Sequence, residues 1–290
     1  MPADETIPSA IPVEPPSAAL PSGHAFEPAP DDVCTYDQWQ ADHYYGFYYR
    51  DGIVRDERIT LARHLRFLRG RGSYERALDY GCGPTLHNAI AVAPYAAAID
   101  MADWRPDNLA SLRRWVQREP GASRWQHFTR YVLECEGTPT PDALAVARRE
   151  RLARQRIDRL LPTDARLPRP LGEHDVAGYD LLVTGYCLDC IAGERDVWRS
   201  AMRHVLALLR PGGDLLLDAL WRCRAYQVED RWFPSANVDV DDLYACLRDN
   251  GFTRRSIEIE SHAYPEQASC GYPGILIATA RKASRRTRGV

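Results

Sequence analysis

Between residues 75 and 280, short apolar segments recur, and most are separated by stretches with helical spacing. The apolar segments are ERALDY (75–80), YAAAID (95–100), LLPTD (160–164), YDLLVTGY (179–186), DLLLDAL (214–220), TRRSIEIESHAY (253–264) and GILIATA (274–280). Residues 56–69, 85–93, 106–118, 142–160, 194–209 and 239–250 read as helices; the first places Ile59, Ala62, Leu65 and Leu68 at helical intervals. Strands that are apolar through their centres, alternating with helices, predict a doubly wound α/β fold. Its sheet should be mostly parallel and seven-stranded, with helices on both faces. The last two strands have no helix between them and are expected as an antiparallel pair at one edge.

A length of 290 residues suits one such domain with extensions. Residues 1–30 hold eight of the 21 prolines and few large apolar side chains, so burial cannot offset their ordering entropy and a disordered arm is expected. The ordered domain is expected over 31–282, with 135–160 as a helical insertion and 283–290 as a solvated basic tail. A net charge of −3 offers no general footprint for nucleic acid. No run of apolar residues is long enough for a membrane span, and the first residues lack the basic-then-apolar pattern of a secretory signal. The only lysine is Lys282, which argues against Schiff-base and phosphate-loop chemistry. The eight cysteines are thinly spread, and Cys187-Leu188-Asp189-Cys190 has no second pair to complete a zinc site. A cytoplasmic, metal-free monomer with reduced thiols is expected.

The sharpest site signal is Asp79-Tyr80-Gly81-Cys82-Gly83-Pro84-Thr85, a strand end followed by a turn whose glycines let the backbone approach a ligand. A dinucleotide-binding loop would carry a third glycine three residues on, where this chain has Leu86. A ligand without a diphosphate fits better. The end of the next strand offers Asp100 and Asp103; the latter lies at the spacing from which a carboxylate accepts both ribose hydroxyls, although it could equally cap the following helix. Leu209-Arg210-Pro211-Gly212-Gly213 is, on its own, only a helix stop.

Taken together, DYGCGPT, Asp103, Asn108 and LLRPGGDLLL resemble the class I S-adenosylmethionine methyltransferases. More narrowly, the chain is similar to the nicotinamide, phenylethanolamine and indolethylamine N-methyltransferases and the related thioether methyltransferase. The likeness runs from Tyr36 to Lys282 through Tyr36, Tyr44 and Tyr49, Trp115 with Arg118-Glu119-Pro120-Gly121, LLPTD, YCLDC, Asp218-Ala219-Leu220 and ATARK. It implies a Rossmann-like sheet with an N-terminal helical lid over 34–70, and S-adenosyl-L-methionine as cofactor. Gly81, Cys82 and Gly83 would follow its methionine portion, Thr85 and His87 would also contact the cofactor, Asp103 would bind the ribose, and Asn108 the ribose or the adenine edge. Asp164 and Ala165 would meet the adenine, Gly185 and Cys187 would line it from the fourth strand, and Tyr36, Tyr44 and Tyr49 would close over it. On spacing alone those tyrosines read instead as a staple fastening an N-terminal helix. For the acceptor the resemblance implies Asp189 as the catalytic carboxylate, with Tyr44, Asp218, Tyr226 and Ser235 beside it.

Two positions depart from the phenylethanolamine branch: Arg222 stands where that branch has a substrate-binding Glu, and Cys270-Gly271-Tyr272 where it has a late acid. If Arg222 faces the pocket, its planar fork suits an anionic group on the acceptor; otherwise it pairs internally with Asp218 or is solvated. The implied reaction is direct displacement on the sulfonium methyl by a small-molecule nitrogen. Rivals are O- or S-methylation on the same fold, a nicotinamide-dependent oxidoreductase, and a binding protein without catalysis.

Overall fold

The computed structural model describes residues 32–174 and 178–284. The proline-rich arm (1–30) and all but the first two residues of the basic tail (283–290) lie outside the described residues. The sheet comprises β1 (Tyr74–Tyr80), β2 (Ala96–Asp103), β3 (Ile157–Pro162), β4 (Tyr179–Gly185), β5 (Leu209–Leu220), β8 (Glu258–Ala263) and β9 (Gly274–Arg281), and a separate hairpin is made by β6 (Ala225–Val228) and β7 (Arg231–Pro234). The spatial order is β3-β2-β1-β4-β5-β9-β8. The first five strands are parallel, and β9 runs antiparallel to both β5 and β8. All seven expected strands are present. The chain winds outward from β1 to β3, then returns to place β4 on the other side of β1. That reversal opens a crevice at the carboxyl ends of β1 and β4.

The core lies on both faces of this sheet. One face packs against α2 (Arg55–Arg69), α3 (His87–Val92), α4 (Pro106–Gln117) and α5 (Gln126–Cys135), through Leu61, Leu65, Ile90, Leu112, Phe128 and Val132. The other packs against α7 (Arg195–Leu206) and α8 (Val240–Asp249), through Trp198, Val205, Leu243 and Leu247. Strands covered on both sides must be apolar on both sides, which is why Leu181, Leu182, Leu215 and Leu216 are consecutive buried leucines. Each such side chain contributes about 1.5–3 kcal/mol by leaving water.

Several boundaries differ from the sequence reading. The helix expected over 142–160 is α6 (Ala143–Arg156), started by Asp142, whose carboxylate accepts the Ala145 N–H at 2.7 Å. It belongs to the β2-to-β3 crossover, burying Val146 and Ala153. The helix expected to run to 209 stops at Leu206, and β5 begins at Leu209, so Pro211-Gly212-Gly213 lies within the strand rather than between helix and strand. Within the expected lid of 34–70, the segment from Cys34 through α1 (Ala41–Tyr48) to Tyr49 flanks the crevice, and α2 is a core helix, with Leu61, Leu65 and Leu68 fully buried, that also presents Glu57 and Thr60 to it.

Candidate active site

At the carboxyl edge of the sheet lies a cavity of about 530 Å³, within the range of small-molecule sites. Each central strand delivers something to it. β1 ends in Gly81 and Gly83, with φ of +65° and +59°, values that only glycine adopts without strain. A Cβ on Gly81 would lie 1.9 Å from Cys187 Sγ, so this turn and the segment after β4 are mutually fitted. Thr85 Oγ1 donates to the Cys82 carbonyl at 2.7 Å, closing the turn.

β2 delivers Asp103, whose carboxylate is buried yet borders the cavity. Oδ2 accepts the Gly83 N–H at 2.8 Å, while Oδ1 accepts the Arg105 N–H at 2.8 Å and Asn108 Nδ2 at 2.9 Å. Burial pushes its pKa up, and the three donors only partly oppose this. Asn108 Oδ1 in turn accepts Trp39 Nε1 at 3.0 Å, which carries the network into the amino-terminal segment. Asp100, the alternative acid, is withdrawn into the sheet by Arg159 at 2.5 Å and Arg76 at 2.9 Å.

Beyond β3, Asp164 and Ala165 border the cavity, the Asp164 carboxylate accepting from Arg166 at 2.8 Å. Gly185, Cys187 and Asp218 line it from β4 and β5, and Asp218 Oδ1 stands 3.1 Å from His64 Nε2. Tyr36, Tyr44, Tyr49 and Tyr226 form the aromatic wall. Tyr36 donates to the Cys190 carbonyl and lies 3.1 Å from Tyr226 Oη; Tyr49 donates to Glu57 Oε1 at 2.8 Å and stacks on His87 with 5.5 Å between centroids. The tyrosines therefore both border the cavity and staple the segment to the body. Burial pushes the His87 pKa down to about 3, so its imidazole is neutral, and its Nδ1 has no hydrogen-bond partner among the described residues.

The family model of the NNMT/PNMT/TEMT family matches residues 32–283. The chain belongs to that family. Mouse (Mus musculus) indolethylamine N-methyltransferase is 27% identical over 82% of this chain and 89% of its own length. Rhesus (Macaca mulatta) phenylethanolamine N-methyltransferase is 29% identical over 74% and 76%. The CurJ carbon methyltransferase structure superposes with a TM-score of 0.51 at 11% identity, over 81% of this chain and 57% of that one, a likeness of fold alone.

The NNMT/PNMT/TEMT family uses S-adenosylmethionine, and the residues present fit that molecule. The cavity can hold it together with a small acceptor, the Gly81–Gly83 turn borders that space with bare backbone, and the orphaned His87 nitrogen offers a polar partner at the cavity wall.

Three residues expected at the acceptor, Asp189, Arg222 and Ser235, do not border the cavity. Asp189 is buried away from the cavity, its Oδ2 accepting the Leu220 N–H at 2.9 Å. The chain turns after β4 through Tyr186, at φ +50°, and this directs Asp189 beneath the end of β5. Arg222 is half exposed, its guanidinium 3.9 Å from Asp239, so it offers no fork to an anionic acceptor group. Ser235 is buried next to the hairpin rather than at the cavity, with its N–H donated to the Arg224 carbonyl at 2.8 Å. In their place stand Glu57 and Thr60 from α2, together with Asn88, Trp104 and Tyr186. A signal for Glu57 exists in the sequence: it falls between apolar positions of an amphipathic helix. A charge there usually reads as a solvated turn.

Proposed function

We propose that the protein transfers the methyl group of S-adenosylmethionine to a nitrogen of a small-molecule amine or N-heterocycle, as a single catalytic domain spanning residues 31–282. One observation carries this reading. A single cavity joins the Gly81–Gly83 turn and Asp103 to a buried polar wall of Glu57, Thr60, Tyr186 and Asp218. The bound cofactor supplies an electrophilic methyl group on a sulfonium sulfur.

The rest falls to the chain. Gly81, Cys82, Gly83, Thr85 and His87 hold the methionine portion, Asp103 and Asn108 the ribose, and Asp164 with Ala165 the adenine. Gly185 and Cys187 form the floor. Tyr36, Tyr44 and Tyr49 cover the cavity and keep out water, which would otherwise solvate the nucleophile. Tyr44, Tyr226 and Asp218 face the acceptor. Asp218, fixed by His64, orients the nitrogen and takes up the proton it sheds. Holding donor and acceptor in line supplies much of the acceleration, with no covalent intermediate on the protein. Asp189 acts as a positioning residue that fixes the end of β5 from beneath.

Eight free cysteines, and the absence among the described residues of any helix long and apolar enough to cross a membrane, support a cytoplasmic setting. The test is a metabolite library incubated with methyl-labelled S-adenosylmethionine and read by mass spectrometry, with the labelled atom assigned by NMR. A nitrogen-bound label is expected. Labels found only on oxygen or sulfur, or none at all from folded protein that binds S-adenosylhomocysteine, would refute the reading.

A further inference from the structure

A second, smaller cavity of about 30 Å³ adjoins the first, and Tyr44, Tyr186, Tyr226 and Glu57 border both. Its walls carry six tyrosines and the adjacent acids Asp56 and Glu57, with no Arg or Lys among its described lining residues. The volume suits one small terminal group. Asp56 is satisfied within the protein, since Oδ1 accepts the Glu57 N–H at 2.8 Å and Oδ2 the Tyr272 hydroxyl at 3.2 Å. Glu57 is not. Its Oε1 accepts from Tyr49, but Oε2, on a residue 97% buried, has no hydrogen-bond partner among the described residues. The nearest cationic candidate is His87 Nε2 at 3.5 Å, and that ring is neutral. His64 is already engaged by Asp218. Arg105 and Arg166, which border the large cavity, sit at the Asp103 and Asp164 end.

A buried carboxylate oxygen without a donor is costly, and two neighbouring acids raise that cost. Burial pushes both carboxyls well above the usual range, helped by repulsion from Glu57 on Asp56 and from Asp218 on Glu57, which is what an unmet demand for positive charge produces. Aromatic faces add to that demand, because their quadrupoles attract cations.

We propose that this chamber receives a terminal cationic group of the methyl acceptor, an ammonium or guanidinium, while the nitrogen to be methylated stays in the large cavity, and that Glu57 selects for that cation. The acceptor is then an organic cation with a separate nucleophilic nitrogen. This rests on the methyl-transfer reading of the large cavity.

Three slim probes of equal length, n-butylamine, n-butanol and butyrate, test it by calorimetry on protein saturated with S-adenosylhomocysteine. Butylammonium should bind roughly tenfold or more tighter than the other two. In folded Glu57→Gln its affinity should fall to within about twofold of butanol. Equal binding of the three probes to the wild-type protein, or a preference for butyrate, overturns the chamber whether or not the variant folds. So does a preference that persists in folded Glu57→Gln. Those outcomes leave methyl transfer standing, whereas wild-type protein that fails to bind S-adenosylhomocysteine counts against the methyl-transfer reading itself.

Discussion

Asp103 is where the glycine turn, the start of α4 and the amino-terminal segment meet. Its carboxylate holds Gly83, Arg105 and Asn108, and Asn108 holds Trp39. Asp103→Ala should weaken S-adenosylhomocysteine binding by about 1.5–3 kcal/mol, by removing charge-assisted hydrogen bonds to the ligand and freeing the turn. Calorimetry on a folded variant checks this, and unchanged affinity would remove Asp103 from the ribose site. Spacing after the glycine turn was enough to predict that Asp103 reaches the cavity edge, because strand and turn lengths in this fold are constrained. It was not enough for Asp189 or Arg222. Their positions just after β4 and β5 were legible, but side-chain direction depends on single backbone dihedrals, +50° at Tyr186 and +53° at Arg222, which composition does not reveal. Glu57 escaped for the opposite reason: local pattern describes a helix face, and only packing showed that this face meets a cavity.

Among the elements, the stretch from Val33 to Tyr49 is held from several directions. Val33 bridges Trp232, Tyr48 donates to the Gln227 carbonyl at 2.5 Å, and Tyr45 to the Arg124 carbonyl at 2.9 Å. Its grip on the body is mostly aromatic and hydroxyl contact with the β6–β7 hairpin, since α1 buries only Ala41. Such an element opens at low free-energy cost and gains order from whatever it covers. Amide exchange across residues 33–49 should therefore slow when S-adenosylhomocysteine is added, with β1 and β4 unaffected; equal exchange in both states would leave the tyrosines as a staple only. The seven sheet strands could be read from apolar runs alone. Neither α5 nor the hairpin could. QHFTRYVLEC mixes aromatic and β-branched residues at helical spacing, and AYQVEDRWFP is too short and polar to separate from a loop.

For the molecule as a whole, buried acids at the site set the response of stability to pH. Burial pushes Asp79 up to about 7, against the opposing Asn88 amide, and Asp189 up to about 6. A folded value above the unfolded one, about 3.9, means the native state keeps its proton longer. Each such acid therefore adds stability that is fully present below about pH 4 and lost as pH rises through its folded value. His87 works oppositely, costing stability as pH falls below about 6.5 because only the unfolded ring takes a proton. The contribution of Asp79 is isolated by Asp79→Asn, which mimics the protonated acid. Without ligand, the variant's advantage over wild type should grow by about 1.4 kcal/mol per pH unit between about 4 and 7, then level off. Denaturant titration at several pH values checks it, and a constant difference would mean that Asp79 ionises normally.

All these elements converge on one claim, that the crevice at the β1–β4 switch is built for S-adenosylmethionine and not for a dinucleotide. Leu86 stands where a dinucleotide-binding loop has its third glycine, and its fully buried side chain fills the space in which that glycine lets helix and strand pack closely. Titration of the wild-type protein with S-adenosylhomocysteine and, separately, with NADH decides between them by calorimetry. Saturable binding of one S-adenosylhomocysteine per chain, undisturbed by excess NADH, is the predicted result. Binding of NADH at this crevice, or no binding of S-adenosylhomocysteine by folded protein, would contradict it.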